Sequence, residues 1–182
     1  FETVTPHAAT RPYLLYVGNH RKHKDLATLF DAWSALPADL PIDLYLTGPD
    51  DFGGELQRRS GATRAIVALG DVPAERLGSY YAGAHALVSP SLREGFGLPV
   101  LEAMAAGCPV IACADSVPRV VESAAWTFPA GDRGRLTTLL GRLAVDQGER
   151  KRSVKVGVEA ARRLTWDHCA RQTADVYREV LK

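Results

Sequence analysis

Short apolar runs alternate with stretches of helical periodicity along most of the chain. Residues 13–17 form a continuous apolar run that ends at Gly18, and such runs are typical of parallel strands buried on both faces. In the segment that follows, four apolar residues fall on one face of a helix: Leu26, Leu29, Phe30 and Trp33. The chain therefore opens with a strand and an amphipathic helix.

The same alternation continues and predicts six strands with helices between them. We expect strands at residues 13–17, 42–47, 66–69, 86–89, 110–113 and 125–128. We expect helices from a cap at Asp25 to Pro37, near 55–59, at 73–81, 98–107 and 117–123, and from 133 to the end, with breaks near 146–148 and 164–167. Such alternation implies right-handed crossovers and a parallel sheet, so the predicted fold is an α/β, Rossmann-like doubly wound sheet.

Domain organisation and cellular location follow from length and composition. Residues 1–12 are predicted to be a linker or tail, and residues 13–182 one domain that includes the C-terminal helices. The chain lacks an initiator Met, so we expect a fragment of a longer protein. Three cysteines, Cys108, Cys113 and Cys169, fit small buried side chains in a reducing cytoplasm.

Charge and hydropathy argue against two classes of partner. The 22 basic and 21 acidic residues nearly cancel, and no basic run suggests a nucleic-acid surface. No stretch reaches the apolar length needed to span a bilayer. The five histidines show no metal-ligand spacing, so no metal site is predicted.

The stretch LREGFGLPVLEAMAAG, residues 92–107, follows the fourth predicted strand and carries the most informative turn. Gly95 and Gly97 are expected to adopt positive φ and to let the backbone approach a ligand. Pro99 suits the first turn of a helix that starts near Leu98. Helix amides at a strand end predict an anion site.

Two carboxylates flank this predicted anion site. Glu94 precedes the helix and Glu102 lies about one turn into it. A carboxylate can accept hydrogen bonds from the paired hydroxyls of a ribose or a hexose, so the arrangement suits a sugar nucleotide. On spacing alone, solvated surface glutamates and an ordinary turn remain an equally open interpretation.

A basic loop follows the first strand at the same predicted edge. Of Arg21, Lys22, His23 and Lys24, Lys24 stands directly before the helix and is best placed to reach inward to a diphosphate. Arg21 and Lys22 are predicted to be solvated. The chain has no GxGxxG after the first strand and no GxxxxGK[ST], which disfavours ordinary NAD and P-loop functions.

Three aromatic residues are predicted to be structural. Tyr80 and Tyr81 lie in the middle of a helix and are expected to pack in the core, and Trp166 is expected to anchor the last helix to the body of the domain.

The segments YVGNHRKHKDLATLFDAW, LYLTGPD and ALGDVPAERLGSYYAGAHALVSPSLREGFGLPVLEAMAAGCPVIAC occur in this order. They resemble the nucleotide-sugar-binding domain of the retaining glycosyltransferases of family 4, which have the GT-B fold. The resemblance covers residues 13–132, and the final helix, LTWDHCARQTADVYREVL, looks like the closing helix of that family. The two glutamates of SLREGFGLPVLEAMAAGCPVI match the family's signature pair.

The resemblance implies a role for each matching residue. Glu94 would contact the transferred hexose, Glu102 the ribose hydroxyls and Lys24 the diphosphate, which makes Glu94 and Lys24 the catalytic candidates. The other donor-binding candidates are the strand-end pair Gly18 and Asn19, Val72 in the segment bordering the base, and the turn residues Gly95, Phe96, Gly97 and Leu98.

The resemblance also implies the reaction and its partners. The donor would be a nucleotide-diphospho-sugar of the GDP-mannose or UDP-hexose type, transferred with retention and without a bound metal or other cofactor. An acceptor saccharide or lipid-linked saccharide would bind an N-terminal domain absent from this fragment, so the fragment alone would be inactive. Members often build surface polysaccharides, and that missing domain would allow peripheral contact with the inner membrane face.

Two positions depart from the family pattern. Many members carry arginine where this chain has Asn19, and an acidic residue where it has Arg119. These departures keep open a non-catalytic nucleotide-sugar binding module of the same fold. An epimerase or phosphorylase is disfavoured, because neither base-catalytic residues nor a cofactor lysine site is evident.

Overall fold

A single parallel sheet of six strands organises the chain. The computed structural model describes residues 4–49, 51–52, 55–61 and 63–181. The strands are β1 (Tyr13–Tyr16), β2 (Asp43–Thr47), β3 (Ile66–Gly70), β4 (Ala86–Ser89), β5 (Val110–Cys113) and β6 (Trp126–Phe128). Their order across the sheet is β3-β2-β1-β4-β5-β6, and every strand pairing is parallel. The predicted Rossmann-like, doubly wound α/β class is confirmed.

Helices cover both faces of this sheet. They are α1 (Leu26–Ser34), α2 (Glu55–Arg59), α3 (Ala74–Gly83), α4 (Leu98–Ala105), α5 (Arg133–Val145), α6 (Gln147–Arg162) and α7 (Trp166–Val180). Short 3-10 turns occupy Lys22–Lys24 and Arg119–Ala124. No helix within the described ranges has the combination of length and apolar character that a membrane crossing requires.

Two apolar cores, one on each face, hold the layers together. One packs β-strand side chains against α1 and α5 and contains the fully buried Trp33. The other packs the opposite strand faces against α3, α4 and the 3-10 turn Arg119–Ala124, and contains Tyr81 and Met104. Because successive side chains of a strand point to opposite faces, the continuous apolar runs of the sequence supply both cores.

The strand order places the switch point of the sheet between β1 and β4. These two strands lie side by side, with Leu14 opposite Ala86 and Leu15 opposite Leu87. Their connections run to opposite faces, which leaves a crevice beyond their carboxyl ends, where ligands bind in open α/β sheets. The Lys22–Lys24 turn and the segment 90–97 both lie at this crevice.

The described part of the N-terminal tail packs on the domain. The His7 amide donates to the carbonyl of Ser79, and its ring stacks on Tyr80 with centroids 4.3 Å apart. The Arg11 side chain bridges the buried Asp43, 3.2 Å away, and the carbonyl of Thr63. These contacts fix the direction from which the chain enters β1.

Several local predictions are wrong in instructive ways. Asp25 does precede α1, but its left-handed backbone (φ 48°, ψ 45°) leaves its side chain without a capping bond. The predicted helix at 117–123 is a 3-10 turn. Trp166 is 79% exposed and Cys169 is exposed as well, because α7 buries none of its residues.

Candidate functional site

Lys24 and Glu94 meet at the crevice between β1 and β4. Lys24 closes the 3-10 turn after β1, and Glu94 lies in the turn after β4. The Lys24 Nζ lies 2.7 Å from Glu94 Oε1, and the two side chains are only 12% and 15% exposed. A backbone bond of 2.8 Å from the Leu92 amide to the His23 carbonyl holds the two loops together. Two candidates 70 residues apart in sequence thus form one charged pair.

The N-terminus of α4 opens beside this pair. Gly97 precedes the helix with φ 83°, no side chain caps the end, and Pro99 lies in the first turn. A Cβ on Gly97 would lie 3.1 Å from the ring of Pro118, so the turn needs glycine both for its φ and for this close approach. The uncapped helix end, with its positive dipole, suits an anion.

Gly95 does not adopt the backbone conformation expected for this turn. Gly95 is not among the positive-φ glycines, and a Cβ there would have open space around it. The expectation of positive φ at Gly95 is therefore wrong, and the sharp bend resides at Gly97. Phe96 and Leu98 are exposed apolar side chains beside the same crevice.

Glu102 is not part of the charged pair. It is exposed, and its Oε2 accepts a hydrogen bond of 2.9 Å from the hydroxyl of Tyr81 on α3. It borders a groove of about 600 Å³ between α3, α4 and α6. The contacts of the described residues thus join Lys24 to Glu94 and Glu102 to Tyr81, so the two glutamates have separate partners.

Gly18 and Asn19 lie in the loop after β1. The Gly18 amide donates to Thr47 Oγ1 at 3.1 Å, which ties this loop to the end of β2. The Asn19 carbonyl accepts from the Tyr16 hydroxyl, and its side-chain oxygen accepts from the Arg21 amide at 3.3 Å. Burial and the nearby charge of Glu94 raise the pKa of Tyr16, so its hydroxyl remains a donor.

His20 is a site neighbour that the sequence pattern did not single out. Its Nε2 donates to the carbonyl of Thr47 at 2.9 Å, and its Nδ1 lies 2.7 Å from Asp51 Oδ1. Gly48 makes room for the ring, because a Cβ there would lie 3.0 Å from His20 Nε2 and 2.6 Å from the Gly18 carbonyl oxygen. The loops after β1 and β2 are clamped by this contact.

The remaining candidates lie along the same edge. Val72 follows β3 and is partly buried against the core of α3 and α4. Tyr81 was expected to pack, and its ring does so, but its hydroxyl also reaches Glu102. No sequence pattern signalled this contact, because it depends on how α3 packs beside α4. Over the described ranges, no cluster of three or more His, Cys, Asp or Glu side chains is arranged to hold a metal ion.

Comparison with known proteins agrees with this architecture. The family described as "Glycosyl transferases group 1" matches residues 11–146. The "O-antigen chain mannosyltransferase B" of Escherichia coli is 33% identical over 178 residues, covering 93% of this chain and 46% of that protein. The chain thus spans about half the length of the curated relatives it matches.

Two solved structures of glycosyltransferases share the fold. Sucrose-phosphate synthase from Thermosynechococcus elongatus superposes with a TM-score of 0.81 at 29% identity, over 96% of this chain and 47% of that one. The C-terminal domain of a glycosyl transferase group 1 family protein from Francisella tularensis gives 0.74 at 21% identity, over 87% of this chain and 94% of that one. The fold is that of the Rossmann-like domains of GT-B glycosyltransferases. This chain belongs to the glycosyl transferases group 1 family.

Proposed function

We propose that this chain is the donor-binding half of a retaining hexosyltransferase that uses a nucleotide-diphospho-sugar. The observation that carries the proposal is the Lys24–Glu94 pair at the switch point of the sheet, beside the uncapped N-terminus of α4. A cation, a carboxylate and a helix dipole at one crevice match the needs of a diphosphate joined to a sugar.

The leaving group is a nucleoside diphosphate, whose negative charge grows as its bond to the sugar breaks. In this proposal Lys24 and the first amides of α4 stabilise that charge. The Lys24 ammonium has three hydrogens, so it can keep its bond to Glu94 while donating to a phosphate oxygen. Lys24 would thus both bind the diphosphate and orient Glu94.

Glu94 would face the transferred hexose. Held by Lys24, its carboxylate can accept hydrogen bonds from sugar hydroxyls and stabilise the positive charge that develops at the anomeric carbon. Direct nucleophilic attack by Glu94 is the less favoured alternative. Glu102, on α4, would accept hydrogen bonds from the ribose hydroxyls, and Val72 would border the base.

The donor and acceptor belong to the same proposal. The mannosyl transfer in the name of the Escherichia coli relative favours GDP-mannose, and a UDP-hexose is the alternative. The chain spans about half of that relative, so we assign the acceptor saccharide, free or lipid-linked, to the other half. That half would also mediate any peripheral membrane contact of an otherwise cytoplasmic enzyme, and the reaction would need no bound metal.

Calorimetric titration of this chain with GDP, UDP and ADP tests the proposal. We expect one of the three to bind in the micromolar range and Glu102→Ala to weaken that binding. Glu94→Ala should leave nucleoside diphosphate binding nearly intact and reduce turnover in the full-length protein. If none of the three binds more tightly than millimolar, the proposal is overturned.

A non-catalytic nucleotide-sugar binding module is the second candidate function. Asn19 favours it, because this side chain carries no positive charge where many members have arginine. Its oxygen accepts a hydrogen bond from the Arg21 amide. It is also favoured by Arg119, which is exposed directly after the Pro118 that packs on Gly97. Glycosyl transfer from GDP-mannose or a UDP-hexose by the full-length protein would exclude this second function.

A further inference from the structure

The hydroxyl of Tyr81 is the one polar atom of an otherwise buried side chain. Tyr81 is 2% exposed, and its ring packs in the core between α3 and α4. The hydroxyl emerges at the groove of about 600 Å³, where it donates to Glu102 Oε2 at 2.9 Å. A phenylalanine would fill the same core volume, so packing alone does not account for the hydroxyl.

The bond to Tyr81 changes what Glu102 can do. Glu102 is exposed, and an exposed glutamate without a partner samples several rotamers. The bond fixes one of its two oxygens and leaves Oε1 and the remaining lone pairs to a ligand. Burial and the charge of Glu102 raise the pKa of Tyr81, so the hydroxyl stays protonated and donates at every ordinary pH.

We infer that Tyr81 is a positioning residue that holds the Glu102 carboxylate in the orientation needed to accept hydrogen bonds from both hydroxyls of a ribose. The inference rests on the proposed function, because it needs a nucleotide at this site. It adds a residue on α3 that would contribute to specificity and that lies outside the turn of Glu94 and the helix of Glu102. The Tyr81–Glu102 pair makes affinity depend on the 2′,3′-diol of the nucleotide.

The neighbouring tyrosine provides a matched control. Tyr80 is also buried on α3, but its ring stacks on His7 and its carbonyl accepts from the Tyr13 hydroxyl. Tyr80→Phe removes the same atom from the same helix without touching Glu102. Tyr81→Phe keeps the core volume, so both variants are expected to fold.

The experiment compares a ribonucleotide with its diol-deficient analogue. Calorimetry measures the binding of the nucleotide among GDP, UDP and ADP that binds most tightly, and separately the binding of its 2′,3′-dideoxy form. The proteins compared are wild type, Tyr81→Phe, Tyr80→Phe, Glu102→Ala and the double variant Tyr81→Phe/Glu102→Ala. We expect Tyr81→Phe to weaken ribonucleotide binding roughly fivefold, which is the size of a typical net hydrogen-bond contribution, and to leave dideoxynucleotide binding unchanged. In the Glu102→Ala background, Tyr81→Phe should add nothing.

The outcomes separate the inference from the proposed function. If wild type binds none of the nucleotides, both are overturned. If wild type binds but Tyr81→Phe weakens the ribonucleotide and the dideoxynucleotide equally, or no more than Tyr80→Phe does, the positioning role is overturned and the proposed function stands. A loss confined to the diol-bearing nucleotide supports both.

Discussion

Two ion pairs of this chain have nearly equal lengths and very different surroundings. Lys24 Nζ and Glu94 Oε1 are 2.7 Å apart with side chains 12% and 15% exposed, whereas Arg178 Nη1 and Asp175 Oδ1 are 2.6 Å apart with side chains 71% and 68% exposed. The first joins loops 70 residues apart at the mouth of the sheet, and the second lies within one turn of α7. Water screens the second pair, so distance alone does not indicate which pair matters.

The comparison extends to the regions around the pairs. Contacts between several loops stabilise the crevice at the ends of β1 and β4. They are the backbone hydrogen bond between Leu92 and His23, the packing of Gly97 on Pro118, and the hydrogen bond between His20 and Asp51. On α7 and at its C-cap, the apolar side chains of Trp166, Tyr177, Val180 and Leu181 are all largely exposed. A crevice with preorganised side chains suits a binding site, because those side chains lose little conformational freedom when a ligand binds.

The largest effect on binding is expected from removing the Lys24 ammonium at the crevice. Lys24→Met should weaken nucleoside diphosphate binding by about ten- to a hundredfold, since a charge-assisted bond to phosphate is lost. Calorimetry measures the change, and Lys22→Met, which removes an exposed neighbour, is the control. Equal losses in the two variants would mean that the buried pair has no special role.

The second effect concerns the turn that shapes the mouth. Gly97→Ala should lower the free energy of unfolding by about 1–2 kcal/mol, because alanine is strained at φ 83° and its Cβ would press on Pro118. Gly95→Ala is the matched control, since open space surrounds that position and its φ is not positive. Urea denaturation of the two variants should separate them, and equal stabilities would contradict the geometry.

A third effect is a pH dependence at the clamp between the loops after β1 and β2. The hydrogen bond from His20 lowers the pKa of Asp51 in the folded state. The ionised Asp51 therefore contributes its full stabilisation at any pH above the pKa that Asp51 has in the unfolded chain. That stabilisation is lost as the pH falls through the lower pKa of the folded state. Asp51→Asn should flatten the decline of the melting temperature in acid, and an unchanged pH profile would argue against the clamp.

The sheet was predictable because each buried strand is a continuous apolar run. All six strands lie where the pattern placed them, with boundary shifts such as β2 starting at Asp43 instead of residue 42 and β3 extending to Gly70. Asp43 can belong to a buried strand because Arg11 and the Ala65 amide satisfy its carboxylate, a long-range contact that no local pattern reveals. The predicted helix breaks near 146–148 and 164–167 are confirmed, and the side chains of Asp146 and Thr165 cap the helices that begin there.

The site was predictable only in part. Parallel strands bring their carboxyl ends to one edge, so the sequence could place Lys24 and Glu94 at the same mouth. It could not show that Glu102 is held by Tyr81, because that contact depends on how α3 packs beside α4. Trp166 was wrongly expected to be an anchor, because an amphipathic pattern shows which face of a helix is apolar and not whether that face has a partner.

The smallest effect tests the other member of the comparison. Arg178→Ala removes the α7 pair and should change the free energy of unfolding by less than about 0.5 kcal/mol, because an exposed pair three residues apart gains little from water-screened attraction. Thermal denaturation at low and at high salt measures this change, and the cycle of Asp175→Ala, Arg178→Ala and the double variant isolates the coupling between the two side chains. A coupling above about 1 kcal/mol would show that exposure does not decide the strength of an ion pair in this chain. The contrast with Lys24 and Glu94 would then need a reason other than burial.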